Sequence, residues 1–128
     1  MPTRREHRRL ARWFGSIVVL AILALLFGFG STPGSANLIS HPWDKLLHLA
    51  IFAVLSFGLR LAMPKVPLWM LIGLALSIAL ADELHQFFVP QRQPGWDDGL
   101  ADAIGVLCGL YVWHHLRRIW PGQSPCGT

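Results

Sequence analysis

Four long apolar runs divide this chain of 128 residues, and almost all of its charged side chains lie at the ends of those runs. Charged residues make up only 14% of the sequence, against roughly 25% in an ordinary soluble domain. A chain this small keeps much of its surface exposed, so a larger core cannot absorb the excess of apolar side chains. A lipid bilayer can, because it is itself an apolar solvent. The pattern therefore predicts a membrane protein.

The apolar runs have the length and the punctuation of membrane-spanning helices. The first run, residues 13–30, holds eighteen residues without a charge, about the length that a bilayer core requires at ~1.5 Å per residue. The later runs cover residues 44–62, 68–88 and 97–116, and segments rich in proline or glycine separate them. We predict an all-α integral membrane bundle of four transmembrane helices, the last three forming one unit over residues 44–116.

The later runs are short when only their uncharged stretches are counted. These stretches hold fourteen, sixteen and eleven residues, whereas a spanning helix needs about 20. To cross a bilayer, the third helix must therefore include Asp82, Glu83 and His85, and the fourth must include Asp102. A charged side chain at that depth is costly when it faces lipid, so we expect these groups to face neighbouring helices and to mark a functional site.

The lysines and arginines predict how the helices are oriented. If the N-terminus is cytoplasmic, nine of these residues lie on the inner side and two, Lys45 and Arg92, lie on the outer side. The positive-inside rule then predicts a basic cytoplasmic segment at residues 1–12 and a cytoplasmic tail at residues 117–128. Alternatively, the first run is a signal peptide that is cleaved after the small residues 34–36. The polar ends of the later helices face outward in both cases.

The second run begins with Asp44, Lys45 and His48. Asp44 and His48 are four residues apart, so on a helix they share a face and can form a hydrogen bond between carboxylate and imidazole. Such a bond sets the tautomer of a histidine for proton transfer. In the alternative interpretation Asp44 caps the helix and the Lys45 side chain extends to the polar surface. His48 lies one turn deeper, and a functional role is favoured for it.

Acidic side chains also stand near the end of the third run. A carboxylate there opposes the helix dipole, so Glu83 requires a basic side chain or a bound cation to compensate it. Gln86 follows three residues later and roughly shares the face of Glu83. Beyond the helix, Arg92 can bind a phosphate or carboxylate bidentately, or it can pair with Glu83. For Asp82 and His85 two interpretations stay open: they face neighbouring helices, as the length of the span requires, or they simply face headgroups and water.

The fourth run carries a stripe that is polar at one end and glycine-rich further along. Asp98, Asp102, Gly105 and Gly109 fall at positions i, i+4, i+7 and i+11, which is one face of a helix. A small-xxx-small pair of glycines allows close helix packing. The two carboxylates on the same stripe should then point into the bundle, whereas Asp97 belongs to the helix N-terminus, where negative charge is favourable.

Together these candidates resemble the motifs of the VanZ-like family of small bacterial membrane proteins. The resemblance lies in Asp44-Lys45-x-x-His48, in Glu83-x-x-Gln86-x-x-x-Pro90-x-Arg92 and in Asp98-x-x-x-Asp102-x-x-Gly105-x-x-x-Gly109. Gln91 stands where the family often has glycine, and Asp102 stands where asparagine is also common. The resemblance implies a multi-helix inner-membrane protein, similar to one named for resistance to the glycopeptide teicoplanin. It implies no settled biochemical activity.

Several functions fit such a site. The first is a binding site for an envelope lipid or lipid-linked wall precursor, which would alter susceptibility to a glycopeptide. The second is an enzyme acting on a lipid headgroup, with His48 as general base and with Lys45 and Arg92 holding a phosphate. No serine or cysteine accompanies His48 in a recognised nucleophile pattern. The remaining alternatives are ion conduction through the bundle and a structural role in which the charges only neutralise one another.

The sequence contains no clear motif for a cofactor or a soluble partner. Asp44, His48, Glu83 and Asp98 have the donor atoms of metal ligands, but their spacing matches no specific metal motif, and no cofactor is assigned. Five of the eleven basic residues precede the first apolar run, where they mark topology, so nucleic-acid binding is not expected. The two cysteines indicate no disulfide framework. The sequence is compatible with an oligomer.

The predicted orientation can be checked with reporter fusions. A fluorescent protein that folds only in the cytoplasm should be bright when it follows residue 128, and alkaline phosphatase at the same place should be inactive. A fusion after residue 64, in the connection between the second and third runs, should behave in the same way. An active phosphatase at either position would contradict the predicted topology.

Overall fold

The computed structural model describes residues 3–32, 42–90 and 95–119. These residues form four α-helices, namely α1 (Arg4–Phe27), α2 (Trp43–Ala62), α3 (Leu68–Phe87) and α4 (Trp96–Ile119), and a 3₁₀ turn (Phe29–Ser31) follows α1. The prediction of an all-helical chain with four long helices is confirmed.

The first helix begins earlier than its apolar run. α1 starts at Arg4 and so includes most of the basic segment that precedes Trp13. The cause is a capping box: the Thr3 side chain accepts a hydrogen bond from the Glu6 amide, and the Thr3 amide donates one to the Glu6 carboxylate over 2.5 Å. This box satisfies two amides at the helix start, and arginine is a good helix former. α1 therefore begins with charged residues and continues with apolar residues.

Three of the described helices, α1, α2 and α3, are long and apolar enough to cross a membrane. Only 17%, 33% and 22% of their most apolar windows are buried inside the molecule, so most of this apolar surface faces outward and requires lipid. α4 has the length, but its first turn carries Asp97 and Asp98 and its last turn carries Arg117 and Arg118. A fourth span therefore remains a prediction, as does the location of the termini.

The core is formed mainly around α2. This helix packs most extensively on α4, then on α1, while α3 contacts both α4 and α2. The completely buried apolar side chains come from three helices and include Phe52, Leu55, Leu71, Ala75 and Val106. Each such side chain contributes about 1.5–3 kcal/mol when it is moved out of water, and inside a bilayer the same contacts act mainly through close packing.

Contacts between the helices fix their directions. Lys45 at the start of α2 pairs with Asp97 at the start of α4, and Arg60 near the end of α2 stacks on Trp113 near the end of α4, so these two helices run parallel. The Glu83 carboxylate near the end of α3 lies against the start of α4, so α3 runs the opposite way. The polar ends of α2, α3 and α4 thus lie together at one end of the bundle, as expected when successive helices alternate in direction.

The two glycines of the predicted stripe are the points where α4 contacts α2 most closely. A Cβ atom on Gly105 would overlap the Leu49 carbonyl, and one on Gly109 would overlap the Ala53 carbonyl. Between these contacts, the buried Ser56 hydroxyl donates to the Val106 carbonyl across the interface over 3.0 Å. The predicted small-xxx-small packing is therefore present, and it joins α4 to α2.

Replacing Gly109 by alanine should destabilise the bundle. The added methyl group must displace the Ala53 backbone, and overpacking of this kind costs about 1–3 kcal/mol. Unfolding of the purified protein in detergent micelles, followed by circular dichroism, measures the effect. Gly73→Ala on α3 is the matched control, because nothing lies within 4 Å of its added Cβ. A Gly109→Ala protein as stable as the control would contradict the proposed packing.

Candidate functional site

The candidate site lies where the N-terminal ends of α2 and α4 meet the C-terminal end of α3. Asp44 stands in the first turn of α2, and Asp97 and Asp98 stand in the first turn of α4. Carboxylates are favoured there, because the N-terminal end of a helix carries a partial positive charge. The acidic residues of α3 lie at the unfavourable end of their own helix, but the N-terminal end of α4 is adjacent to them. The fold thus brings favourable dipoles to a group of acids.

A buried histidine–aspartate pair lies at the centre of this end. His48 Nδ1 and Asp102 Oδ1 are 3.1 Å apart, and their side chains are 6% and 0% exposed. The hydrogen bond that was predicted between His48 and Asp44 is absent, because His48 Nε2 lies 4.0 Å from Asp44 Oδ1, which is too far for one. The reason is the close contact of α4 with α2 at Gly105, which brings Asp102 within reach of the imidazole.

The contact with Asp102 makes the two ring nitrogens of His48 different. When Nδ1 donates its proton to Asp102, Nε2 is left as the basic nitrogen of the ring. Asp102 then holds the imidazole in one orientation and stabilises it when it takes up a second proton. Nε2 points towards the side of Asp44, at 4.0 Å. In that tautomer, Nε2 of His48 can accept a proton.

The second carboxylate oxygen of Asp102 is the least satisfied atom of the site. Oδ2 is buried, and no donor from residues 3–32, 42–90 or 95–119 lies within hydrogen-bond distance of it. Leaving a buried acceptor without a donor costs about 1–3 kcal/mol. Arg92, the predicted basic member of the site, lies outside the described residues. Oδ2 thus marks a place where an additional donor would be stabilised.

Glu83 reaches the site across the interface between α3 and α4. Its carboxylate occupies the space that a Cβ on Gly99 would fill, so glycine at this position lets the two helices share the acid. Glu83 is half-buried and interacts electrostatically with Asp102 and Asp98. Like charges so close repel one another, and a positive group placed between them would be bound favourably.

The structure distinguishes the two interpretations of Asp82 on α3. Its side chain is buried, as the length of the span requires, rather than facing headgroups and water, and it accepts a hydrogen bond from Gln86 Nε2 over 2.5 Å. Gln86 is buried with it and so serves Asp82 rather than sharing the face of Glu83. His85 is half-buried, its ring centroid 5.5 Å from that of Phe27 on α1. The spacing of four between Asp82 and Gln86 is the sequence signal that identifies this pair.

The rim of the site is formed by more exposed groups. Lys45 forms an ion pair with Asp97, and these side chains are 27% and 65% exposed. An exposed pair of this kind contributes little to stability, but it links the starts of α2 and α4. Asp98 is half-buried and interacts electrostatically with His48. Within the described part of the chain, no three His, Cys, Asp or Glu side chains are arranged to hold a metal ion, so the weak candidate ligands Asp44, His48, Glu83 and Asp98 do not form such a group there.

These features describe a membrane protein class: a small bundle of apolar helices that carries a buried polar cluster at one end. Comparison with known families gives the assignment. The family model described as VanZ/LLP1 matches residues 9–118, and the chain belongs to this family, as the three motifs predict. No curated protein and no solved structure matches the chain.

The His48–Asp102 pair should show strong energetic coupling. Replacing either residue by alanine leaves its partner buried without a hydrogen bond, so each single variant should lose about 1–3 kcal/mol of unfolding free energy. The double variant should lose less than the sum, by about 0.5–3 kcal/mol. Unfolding of all four proteins in detergent measures this cycle.

A matched cycle on Lys45 and Asp97 provides the control. This pair also joins α2 to α4, but its side chains are more exposed, so its coupling should stay below about 1 kcal/mol. Equal coupling in the two cycles would show that the buried pair has no special role in stability.

Proposed function

We propose that this protein is an integral protein of the bacterial cytoplasmic membrane whose polar cluster binds the headgroup of an envelope lipid or a lipid-linked wall precursor on the outer side. The observation that carries the proposal is Asp102, which is completely buried inside a bundle of apolar helices and leaves Oδ2 without a donor from the described residues. Buried ionisable groups are costly in a membrane protein, and functional sites are where they are retained.

The arrangement of exposure supports a binding site that opens outward. His48 and Asp102 are buried, whereas Asp44, Glu83 and Asp98 around them are half-buried. A headgroup can therefore contact the outer carboxylates and present a donor towards the inner pair. The count of lysine and arginine supports the outward direction, with nine residues at the opposite end and two at this one.

The charge balance indicates what the headgroup offers. By sequence, six carboxylates belong to this end of the bundle, against Lys45, Arg92 and three histidines. Even with every basic group charged, the cluster keeps an excess of negative charge, so its groups do not fully neutralise one another. A headgroup with ammonium or hydroxyl donors complements this excess, because both donate hydrogen bonds to carboxylates.

A second candidate function is catalysis on the bound headgroup. One observation favours it: Asp102 holds His48 through Nδ1, the arrangement in which Nε2 serves as a general base. In this function His48 would remove a proton from a water molecule or a headgroup hydroxyl, and Asp102 would stabilise the resulting imidazolium. Binding alone leaves the lipid unchanged, whereas catalysis yields a product.

Susceptibility to teicoplanin and the set of lipids that copurify with the protein should both depend on Asp102. Cells that produce the wild-type protein should differ from cells with an empty vector in the inhibitory concentration of teicoplanin, in keeping with the family name. Asp102→Ala removes the carboxylate, and it should abolish most of this difference. Mass spectrometry of the lipids that copurify with each protein should show the loss of one headgroup class.

Asp97→Ala is the matched control, because it removes one carboxylate from the exposed rim of the same helix. It should retain the wild-type phenotype and the wild-type lipid. A new lipid species that appears only with wild-type protein and disappears with His48→Gln would favour catalysis. Equal effects of the Asp102 and Asp97 variants would contradict a specific site.

A further inference from the structure

The opposite end of the bundle contains a groove that the proposed function does not use. Its volume is about 270 Å³, and it is lined by Arg9, Arg12, Trp13, Ser16 and Ala62. The groove lies between the N-terminal half of α1 and the last residue of α2. All five residues belong to the described part of the chain.

The groove exists because the two helices that form it end at different levels. At Gly15, α1 contacts α2 so closely that an added Cβ would lie 2.7 Å from both the Gly58 carbonyl and the Ala62 amide. α2 ends at Ala62, but α1 continues for eleven more residues to Arg4, about 16 Å at 1.5 Å per residue. The basic part of α1 therefore extends past the end of α2, and the groove opens where α2 stops.

The chemistry of the groove fits an anionic oxygen group. Arg9 and Arg12 are three residues apart and so project from one side of α1. Guanidinium groups bind phosphate oxygens through paired hydrogen bonds. The Ser16 hydroxyl at the base of the groove is already directed to the Arg12 carbonyl over 3.0 Å, which leaves the two guanidinium groups as the principal donors.

The surroundings strengthen the positive potential of this end. Arg60 and Arg117 both form cation–π contacts with Trp113, with 4.5 Å and 4.9 Å from guanidinium carbon to ring centroid. Glu6 is the single acidic residue of the chain at this end, and it is engaged by Thr3 in the capping box. A phosphate that approaches the groove therefore meets a field of one sign.

The apolar surface next to the groove fits the chains of a lipid. Trp13, which lines the groove, is 70% exposed. Phe14 and Ile17, which follow it on α1, are 61% and 60% exposed. A tryptophan at the border between a basic and an apolar segment lies at the level of lipid headgroups. The phosphate of a lipid can thus lie at the arginines while its acyl chains follow the apolar face of α1.

We propose that this groove is a binding site for an anionic phospholipid, whose phosphate is held by Arg9 and Arg12 and whose acyl chains lie along α1. The site is independent of the polar cluster at the other end, and neither requires the other. It would attach the overhanging basic turns of α1 to the headgroup layer of one leaflet.

Native mass spectrometry of the full-length protein from detergent that contains phosphatidylglycerol tests the proposal. Arg9→Gln/Arg12→Gln should reduce the bound fraction of this lipid at least about tenfold, because it removes the two charged groups that donate hydrogen bonds to the phosphate. Arg4→Gln/Arg8→Gln removes the same charge from the same helix but leaves the groove lining intact, and it should retain the wild-type bound fraction within about twofold. Arg9→Lys/Arg12→Lys should recover part of the binding.

Three results would overturn the proposal. Equal losses in the two glutamine variants would mean that the lipid responds to total charge rather than to the groove. Equal retention of zwitterionic phosphatidylcholine by the wild-type protein would mean that the net negative charge of the lipid is not recognised. Binding of inorganic phosphate at Arg9 and Arg12 without retention of phosphatidylglycerol would assign the site to a free anion. Helix content by circular dichroism identifies any variant that fails to fold, and the lysine variant then decides the result.

Discussion

The close contact between the backbones of α2 and α4 is the constraint on which the polar cluster depends. Gly105 and Gly109 present no side chain to the Leu49 and Ala53 carbonyls, so the two helices approach until any Cβ would overlap them. At that separation Asp102, three residues before Gly105, reaches His48 at 3.1 Å. A larger residue in the stripe would push the helices apart. The buried side chains of His48 and Asp102 would then lose the hydrogen bond that joins them. Packing and polar chemistry are therefore coupled at this interface.

The acidic residues of α3 are placed where a neighbouring helix compensates for their own. Asp82 and Glu83 lie near the C-terminal end of α3, where the dipole of that helix disfavours negative charge. Asp82 is stabilised locally by the Gln86 amide, and Glu83 lies against Gly99 in the first turns of α4, where the dipole has the opposite sign. Antiparallel packing of α3 on α4 thus accommodates acids that an isolated helix would disfavour.

The two ends of the molecule differ in how they hold charge. At the acidic end, carboxylates converge from three helices around a buried pair, and burial makes each interaction specific. At the basic end, arginines remain exposed, stack on Trp113 or line the groove between α1 and α2. The first arrangement suits recognition of a particular headgroup, and the second suits attachment to phosphates that occur throughout a leaflet. This division follows from where the chain places its charges relative to its apolar runs.

The sequence by itself determined the helical class, the family, the number of helices and the end at which the acids collect. The helical class and the number of helices follow from the length of the apolar runs, the family from the three motifs, and the end at which the acids collect from the reversal of direction between successive helices. It also indicated the glycine stripe, because a spacing of four on a helix defines a face. Only the tertiary structure decided the partners: His48 binds Asp102 rather than Asp44, and Asp82 is buried with Gln86 rather than exposed. Spacing along one helix shows which residues share a face, but the distance between helices is set by packing, and a hydrogen bond depends on that distance to within tenths of an ångström.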